Sequence, residues 1–109
     1  MALQHAHPAQ AIDVAPLGDR LTSSRTTTLL KTETVEVVRL VLPAGKEIQP
    51  HRAPGAITLQ CLEGRVEFSA LGVQCELAAG TMTYLAERDE HALRAVEDSS
   101  LLLTILLAT

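Results

Sequence analysis

Residues 45–64 read Gly-Lys-Glu-Ile-Gln-Pro-His-Arg-Ala-Pro-Gly-Ala-Ile-Thr-Leu-Gln-Cys-Leu-Glu-Gly. A glycine is followed, after five residues, by His51, and the apolar run Ile57–Leu62 closes on the turn Glu63-Gly64. An imidazole on a polar loop between turn glycines, running into a strand, is the arrangement in which a rigid sheet positions a functional side chain. A second stretch, from Gly80 to His91, answers the first. Together they suggest a small β-barrel with a pocket.

Working outward, Val35–Leu42 places Val35, Val37, Arg39 and Val41 on one face of a strand and Glu36, Val38, Leu40 and Leu42 on the other. Neither face is cleanly polar, so both are expected to be covered. Upstream, the β-branched Thr26, Thr27 and Thr28 lead into Leu29-Leu30, and Lys31–Thr34 reads as the turn between the two strands. Downstream, Arg65–Phe68 and Val73–Leu77 alternate polar and apolar residues, and Ala70-Leu71-Gly72 turns between them. Thr81–Leu85, His91–Val96 and Ser100–Leu107 complete the set, separated by the charged loop Ala86–Glu90 and the turn Glu97-Asp98. Turns recurring at about 8–12 residues, with no sustained helical period, define an all-β sandwich or barrel.

The barrel domain is expected over residues 25–109, preceded by a tail and lead-in over residues 1–24. Ile12–Thr22, with Pro16 and Gly18-Asp19, reads as extended. His5 and His7 form an HxH pair beside Pro8, and their place in a terminal segment favours a solvated tail. The last strand is apolar on both faces and needs cover on each. A place inside the sandwich or a homodimer built on the outer sheet face would supply it, and the homodimer is the expectation.

At 109 residues the chain is long enough for one core. With 47% hydrophobic and 20% charged residues it is a folding sequence, yet Phe68 and Tyr84 are its only large aromatics. The core must therefore be aliphatic. A net charge of −4, with scattered basic residues, argues against nucleic acid. The longest apolar run, Leu101–Ala108, is far short of the about 20 residues that span a bilayer. The amino-terminal residues lack a basic start and apolar stretch, so a cytoplasmic location is expected, with Cys61 and Cys75 as free thiols.

The spacing resembles that of the cupin superfamily, small jelly-roll barrels also described as double-stranded β-helices. Their first motif runs glycine, five residues, His-x-His, three or four residues, Glu, six residues, glycine. Gly45, His51 and Gly64 fall on its places. Their second runs glycine, five residues, Pro-x-Gly, two residues, His, three residues, Asn, and Gly80 and His91 fit it. The resemblance covers about residues 35–107 and implies an RmlC-like barrel. Members with the full set hold a divalent metal through three histidines and a carboxylate. Here the second histidine is replaced by Ala53 and the glutamate by Ile57, while Ala86, Arg88 and Ala95 replace the proline, glycine and asparagine of the second motif.

Several readings of the surviving pair stay open. His51 and His91 could hold a divalent transition metal (zinc, iron, manganese, nickel or copper) weakly, with water completing the shell. They could be a metal-free polar pair in a ligand pocket, offering a donor and an acceptor to an anion or carbonyl. They could also be ordinary hydrogen-bonded barrel histidines. Steps of two from Ile57 put Leu59 and Cys61 on the same face, so Cys61 could join the histidines in a soft site. The pocket is expected to be lined by His51, His91, Ala53, Ile57, Leu59, Cys61 and Tyr84, the last a possible proton donor. Arg52 and Arg88 border the two motifs as candidate carboxylate ligands. Glu87, Asp89 and Glu90 form an acidic run, from which Glu90 could orient His91. The function expected is a small-molecule binding or sensing barrel; the alternative is a dioxygenase or isomerase with a reduced two-histidine metal site.

Overall fold

The computed structural model describes residues 5–107; the outermost parts of the expected tail and barrel, residues 1–4 and 108–109, lie outside the described residues. Nine strands follow in chain order: β1 Thr27–Lys31, β2 Val35–Leu42, β3 Glu47–His51, β4 Ile57–Glu63, β5 Arg65–Ala70, β6 Val73–Ala78, β7 Met82–Leu85, β8 His91–Ala95 and β9 Ser99–Leu106. They form a five-stranded sheet of order β1-β2-β9-β4-β7 and a four-stranded sheet of order β3-β8-β5-β6. The antiparallel pairs β2–β9, β3–β8, β4–β7 and β5–β6 nest inside one another along the chain and alternate between the sheets. That winding of one long hairpin is a jelly roll, the double-stranded β-helix.

Register decides which residues face inward, because directly paired antiparallel residues share a face. In the five-stranded sheet the inner rows are Leu40–Leu101–Cys61, Val38–Leu103–Leu59 and Glu36–Ile105–Ile57. In the four-stranded sheet they are Val66–Ala95, Phe68–Leu93 and Ala70–His91. The core is accordingly aliphatic, with Phe68 as its single large ring. Gly64 makes the β4–β5 turn at φ +85, and a Cβ there would collide with the Asp98 carbonyl and the Ser99 hydroxyl, so the turn requires glycine.

Two elements depart from the sequence reading. Glu47–His51 is a strand, edge-paired to β8, in a stretch where the sequence reading placed no strand. The lead-in is also not simply extended, because Gly18–Ser23 is a 3-10 helix with Leu21 buried. Gly18 starts it at φ +57, and the Leu17 and Gly18 amides donate to the Glu63 carboxylate at 2.8 and 3.0 Å. Across the same outer face, Arg39 is buried and donates to the carbonyls of Asp13 and Ala15 at 2.9 and 3.1 Å. The lead-in thus covers the Arg39–Val41 end of β2, whose outer face the sequence predicted to be covered.

Burial alone pushes the Glu63 carboxyl up. Donation from the Ser100 hydroxyl and the Leu17 and Gly18 amides, with the nearby Arg39 charge, outweighs that and holds it below the usual carboxylate range. Glu63→Ala is expected to cost about 1–3 kcal/mol, because it removes the acceptor of the Ser100 hydroxyl and of the Leu17 and Gly18 amides. Chemical denaturation would measure the loss, and amide exchange at Leu17 and Gly18 should accelerate. Unchanged stability and exchange would show that the lead-in is held by other contacts.

Candidate functional site

The site lies at one open end of the barrel, where the Glu36–Ile105–Ile57 row of one sheet faces the His51–His91–Ala70 row of the other. A cavity of about 310 Å³ opens there, lined by His51, His91, Arg52, Ala53, Pro54, Glu36, Ile57, Leu103, Ile105 and Leu107. Its walls are aliphatic and its polar groups few, the usual make-up of a small-molecule site.

A β-bulge aims His51 inward. Ile48 pairs with Leu93, but the register shifts before His51, which pairs with His91. Without the extra residue, Pro50 would stand opposite His91 and His51 would point to the outer face. Pro50 sits at the irregularity on an edge strand, where its missing N–H breaks no ladder bond. The two imidazole centroids are 4.2 Å apart, with planes tilted by 58°, and the His91 ring lies 6.0 Å from Phe68.

Both rings are held in the same way. His51 Nδ1 lies 3.1 Å from the Gln49 carbonyl oxygen and His91 Nδ1 lies 3.2 Å from that of Asp89. A carbonyl oxygen only accepts, so each Nδ1 carries the hydrogen and each neutral ring keeps Nε2 as an acceptor. The pair is therefore two acceptors, not the donor and acceptor expected from sequence.

The loops that carry the motifs are tied together. The Arg88 amide donates to the Ala53 carbonyl, and Arg52 Nη1 to the Arg88 carbonyl, both at 3.0 Å. Arg88 adopts φ 64, so the position where the resemblance expects glycine keeps a left-handed backbone. Asp89 caps the loop by accepting from the Ala86 amide at 3.0 Å. Gly55 packs against the Leu106 carbonyl, where a Cβ would clash, letting the 52–56 loop close over the end of β9.

Ala53 and Ile57, the apolar replacements for two metal ligands, line the same cavity as the histidines. Leu59 and Cys61 share the inner face with Ile57, as alternation predicted, but both belong to the closed core. Cys61 sits four residues along β4, about 13 Å from Ile57 at strand rise. It is fully buried and donates to the Glu63 carbonyl, and burial pushes its thiol pKa up. It therefore belongs to packing and does not join the histidines. Tyr84 also falls outside the cavity. Ile57 pairs with Leu85, so Leu85 faces in and Tyr84 faces out, 74% exposed. Glu90 pairs with Arg52 at 3.8 Å, and the backbone carbonyl of Asp89 takes the orienting role suggested for Glu90.

Glu36 is the residue that sequence reasoning missed. It shared a strand face with Val38 and Leu40 in the sequence pattern, but only the register brings it to the cavity. Among the described residues no three of His, Cys, Asp and Glu converge closely enough to hold a metal ion. The divalent metal that this kind of barrel implies thus finds two imidazoles facing Ala53 and Ile57, a donor set short of the three or four ligands of stable sites.

No family model matches the chain, and no curated protein matches it. Solved structures do. A conserved protein of unknown function from Streptococcus pyogenes superposes with a TM-score of 0.74 at 22% identity, covering 100% of this chain and 99% of that one. An RmlC-like cupin from Desulfovibrio desulfuricans gives 0.74 at 24% identity over 89% and 96%. A cupin superfamily protein from Desulfitobacterium hafniense gives 0.74 at 14% identity over 91% and 100%. The architecture is a small jelly-roll barrel with an open end. More narrowly, it is the RmlC-like cupin fold, as the two motif remnants implied.

His91 is 5% exposed, and loss of solvation pushes its pKa below the ordinary imidazole value of about 6.5, with the adjacent His51 adding to the effect. A depressed histidine binds its proton more readily in the unfolded chain. Its contribution to stability is therefore complete above about pH 6.5 and is lost as pH falls through that value toward the folded pKa. His91→Asn should flatten this part of the stability–pH profile, and an NMR titration should place the wild-type His91 midpoint below that of a free imidazole. A midpoint at or above the free value would contradict the burial argument.

Proposed function

We propose that the protein is a small-molecule binding or sensing module of cupin fold, its ligand seated in the cavity between the two sheets at the His51–His91 end. The observation that carries this reading is the cavity itself: two preoriented imidazoles, beside aliphatic walls that include Ala53 and Ile57. Such a site offers recognition through a few fixed polar groups and burial through the rest.

A second reading is favoured by one feature. Donation from Nδ1 to a backbone carbonyl, leaving Nε2 free, is also how metal-bound histidines are oriented. A weakly held zinc, iron, manganese, nickel or copper ion, serving a dioxygenase or isomerase, would use that same edge.

Elemental analysis of untagged wild-type protein purified without chelator separates the two, with His51→Ala and His91→Ala alongside. The binding reading expects no stoichiometric transition metal in any of the three, and a ligand-induced rise in thermal midpoint that both variants lose while staying folded. A near-stoichiometric metal that both substitutions remove would overturn it in favour of the metalloenzyme.

We also propose a homodimer through the outer face of the five-stranded sheet. Met82, Tyr84 and Leu106 are each more than half exposed there, and Ala56, Thr58, Tyr84, Thr104 and Leu106 line a shallow apolar depression with no charged residue. Two copies can therefore meet on it without like-charge repulsion, whereas the ion-paired outer face of the four-stranded sheet is charged. Tyr84→Glu with Leu106→Glu should convert a dimer to a monomer in sedimentation velocity. A wild-type monomer at high concentration would rule the interface out.

A further inference from the structure

Resting on the reading of the cavity as a ligand pocket, the polar groups that line it narrow the ligand further. Both imidazoles use Nδ1–H on a backbone carbonyl, so what each neutral ring offers is an acceptor. The third inward polar group, Glu36, is also an acceptor and carries a negative charge. It is half-buried on β2, and Thr28 Oγ1 donates to its Oε2 at 3.3 Å. Among the described residues it makes no ion pair: the four pairs found join Arg52–Glu90, Arg65–Glu76, Arg65–Glu97 and Arg94–Glu67. Lys31 stands opposite Glu36 in register but is exposed and does not line the cavity.

The cation that does line the cavity is already engaged. Arg52 donates to the Arg88 carbonyl and lies 3.8 Å from Glu90, with its side chain 63% exposed. It is turned toward the loop and the solvent. A half-buried carboxylate with one hydroxyl donor and no ion pair among the described residues favours a cationic or strongly donating guest. Because no three ligating side chains converge among the described residues, a metal ion finds no complete site here. An ammonium needs only one charged acceptor and can complete its hydrogen bonds with water at the open end.

The walls set the remainder. They are aliphatic, with Ile57, Leu103 and Ile105 along one side, and no aromatic ring other than the two imidazoles lines the cavity. A quaternary ammonium, which has no N–H and is bound through aromatic cages, finds neither of its partners here. A primary ammonium can donate to acceptors, and its hydrocarbon can lie on the aliphatic walls. A volume of about 310 Å³ is at the small end for ligand sites.

We propose that the cavity takes a small primary alkylammonium, one N–H donated to Glu36, the others to water or the nearer imidazole acceptor edge, and its chain against Ile57, Leu103 and Ile105. Four probes of similar length test this on the full chain near neutral pH with chelator present: pentylamine, pentanol, pentanoate and pentyltrimethylammonium. Titration calorimetry measures affinity, and ring resonances of His51 and His91 report where each probe sits. Pentylamine should bind about tenfold or more tightly than the other three and shift both rings, and Glu36→Gln should weaken it by about tenfold or more. If pentanol, pentanoate or the trimethyl probe binds as well as pentylamine and shifts the rings, the amine assignment fails while the pocket reading stands. Glu36→Gln protein that is folded yet binds pentylamine like the wild type has the same consequence. If no probe shifts either ring, both the assignment and the pocket reading fall. The comparison of the four probes on wild-type protein stands whether or not the variant folds.

Discussion

The barrel depends on β9, a strand that needs partners on every side. It comes last among the strands yet lies in the middle of the five-stranded sheet, bonded to β2 along its whole length and to β4 along most of it. Its inward residues Leu101, Leu103 and Ile105 run from the sealed core to the cavity wall. Its outward residues meet cover at the Ser100 end, where Glu63, Arg39 and the lead-in close over the sheet. At the other end Leu106 is half exposed among the described residues. The chain cannot form the cavity until β9 is in place between β2 and β4, since the wall residues Glu36, Ile105 and Ile57 become one row only through that double pairing. Such a core is assembled chiefly through contacts between residues far apart in sequence.

How much of this could be read beforehand follows from which rules are local. Alternation along Ile57, Leu59 and Cys61 is local, and the inner face it predicted is the inner face found. Turn glycines are local too, and the strands between them appear within a few residues of their expected limits. His51 is the opposite case. Counting by twos from Ile48 sends it outward, and only a bulge, which has no unambiguous sequence mark beyond Pro50, turns it in. Tyr84 and Leu85 show a related difficulty: the strand Met82–Leu85 is so short that parity is settled by its pairing with Ile57, not by its own pattern. The 3-10 helix at Gly18 was hidden for another reason, since its anchor, Glu63, lies more than forty residues away.

Glu36 joins these two lessons. Its strand face was grouped with Val38, Leu40 and Leu42 and expected to be covered, with no role given to the glutamate on it. The register gives it a different meaning. Three of the four residues on that face pack into or border the core, and Glu36 occupies the last position of the series, level with Ile105 and the cavity. Among the described residues the protein supplies that carboxylate with one hydroxyl donor, from Thr28. The remainder of its solvation must come from water or a guest entering the open end.

The same accounting bears on what the lost ligands mean. Replacing a histidine and a carboxylate by Ala53 and Ile57 removes two acceptors from the wall and leaves the remaining imidazoles with their tautomer still fixed by Gln49 and Asp89. Each Nδ1–H on a backbone carbonyl fixes its ring, and the wall beside the two rings is aliphatic. Two neutral Nε2 atoms beside such a surface do not saturate a dication, but they can accept hydrogen bonds from a guest. The polar part of such a guest must donate and the rest must be apolar, because Ile57 now stands where charge would have been. Ala53 matters equally, since a small side chain at that position leaves room between the histidines and the loop for the guest to enter. Ala53 and Ile57 thus set the polarity and the shape of the cavity beside the two imidazoles.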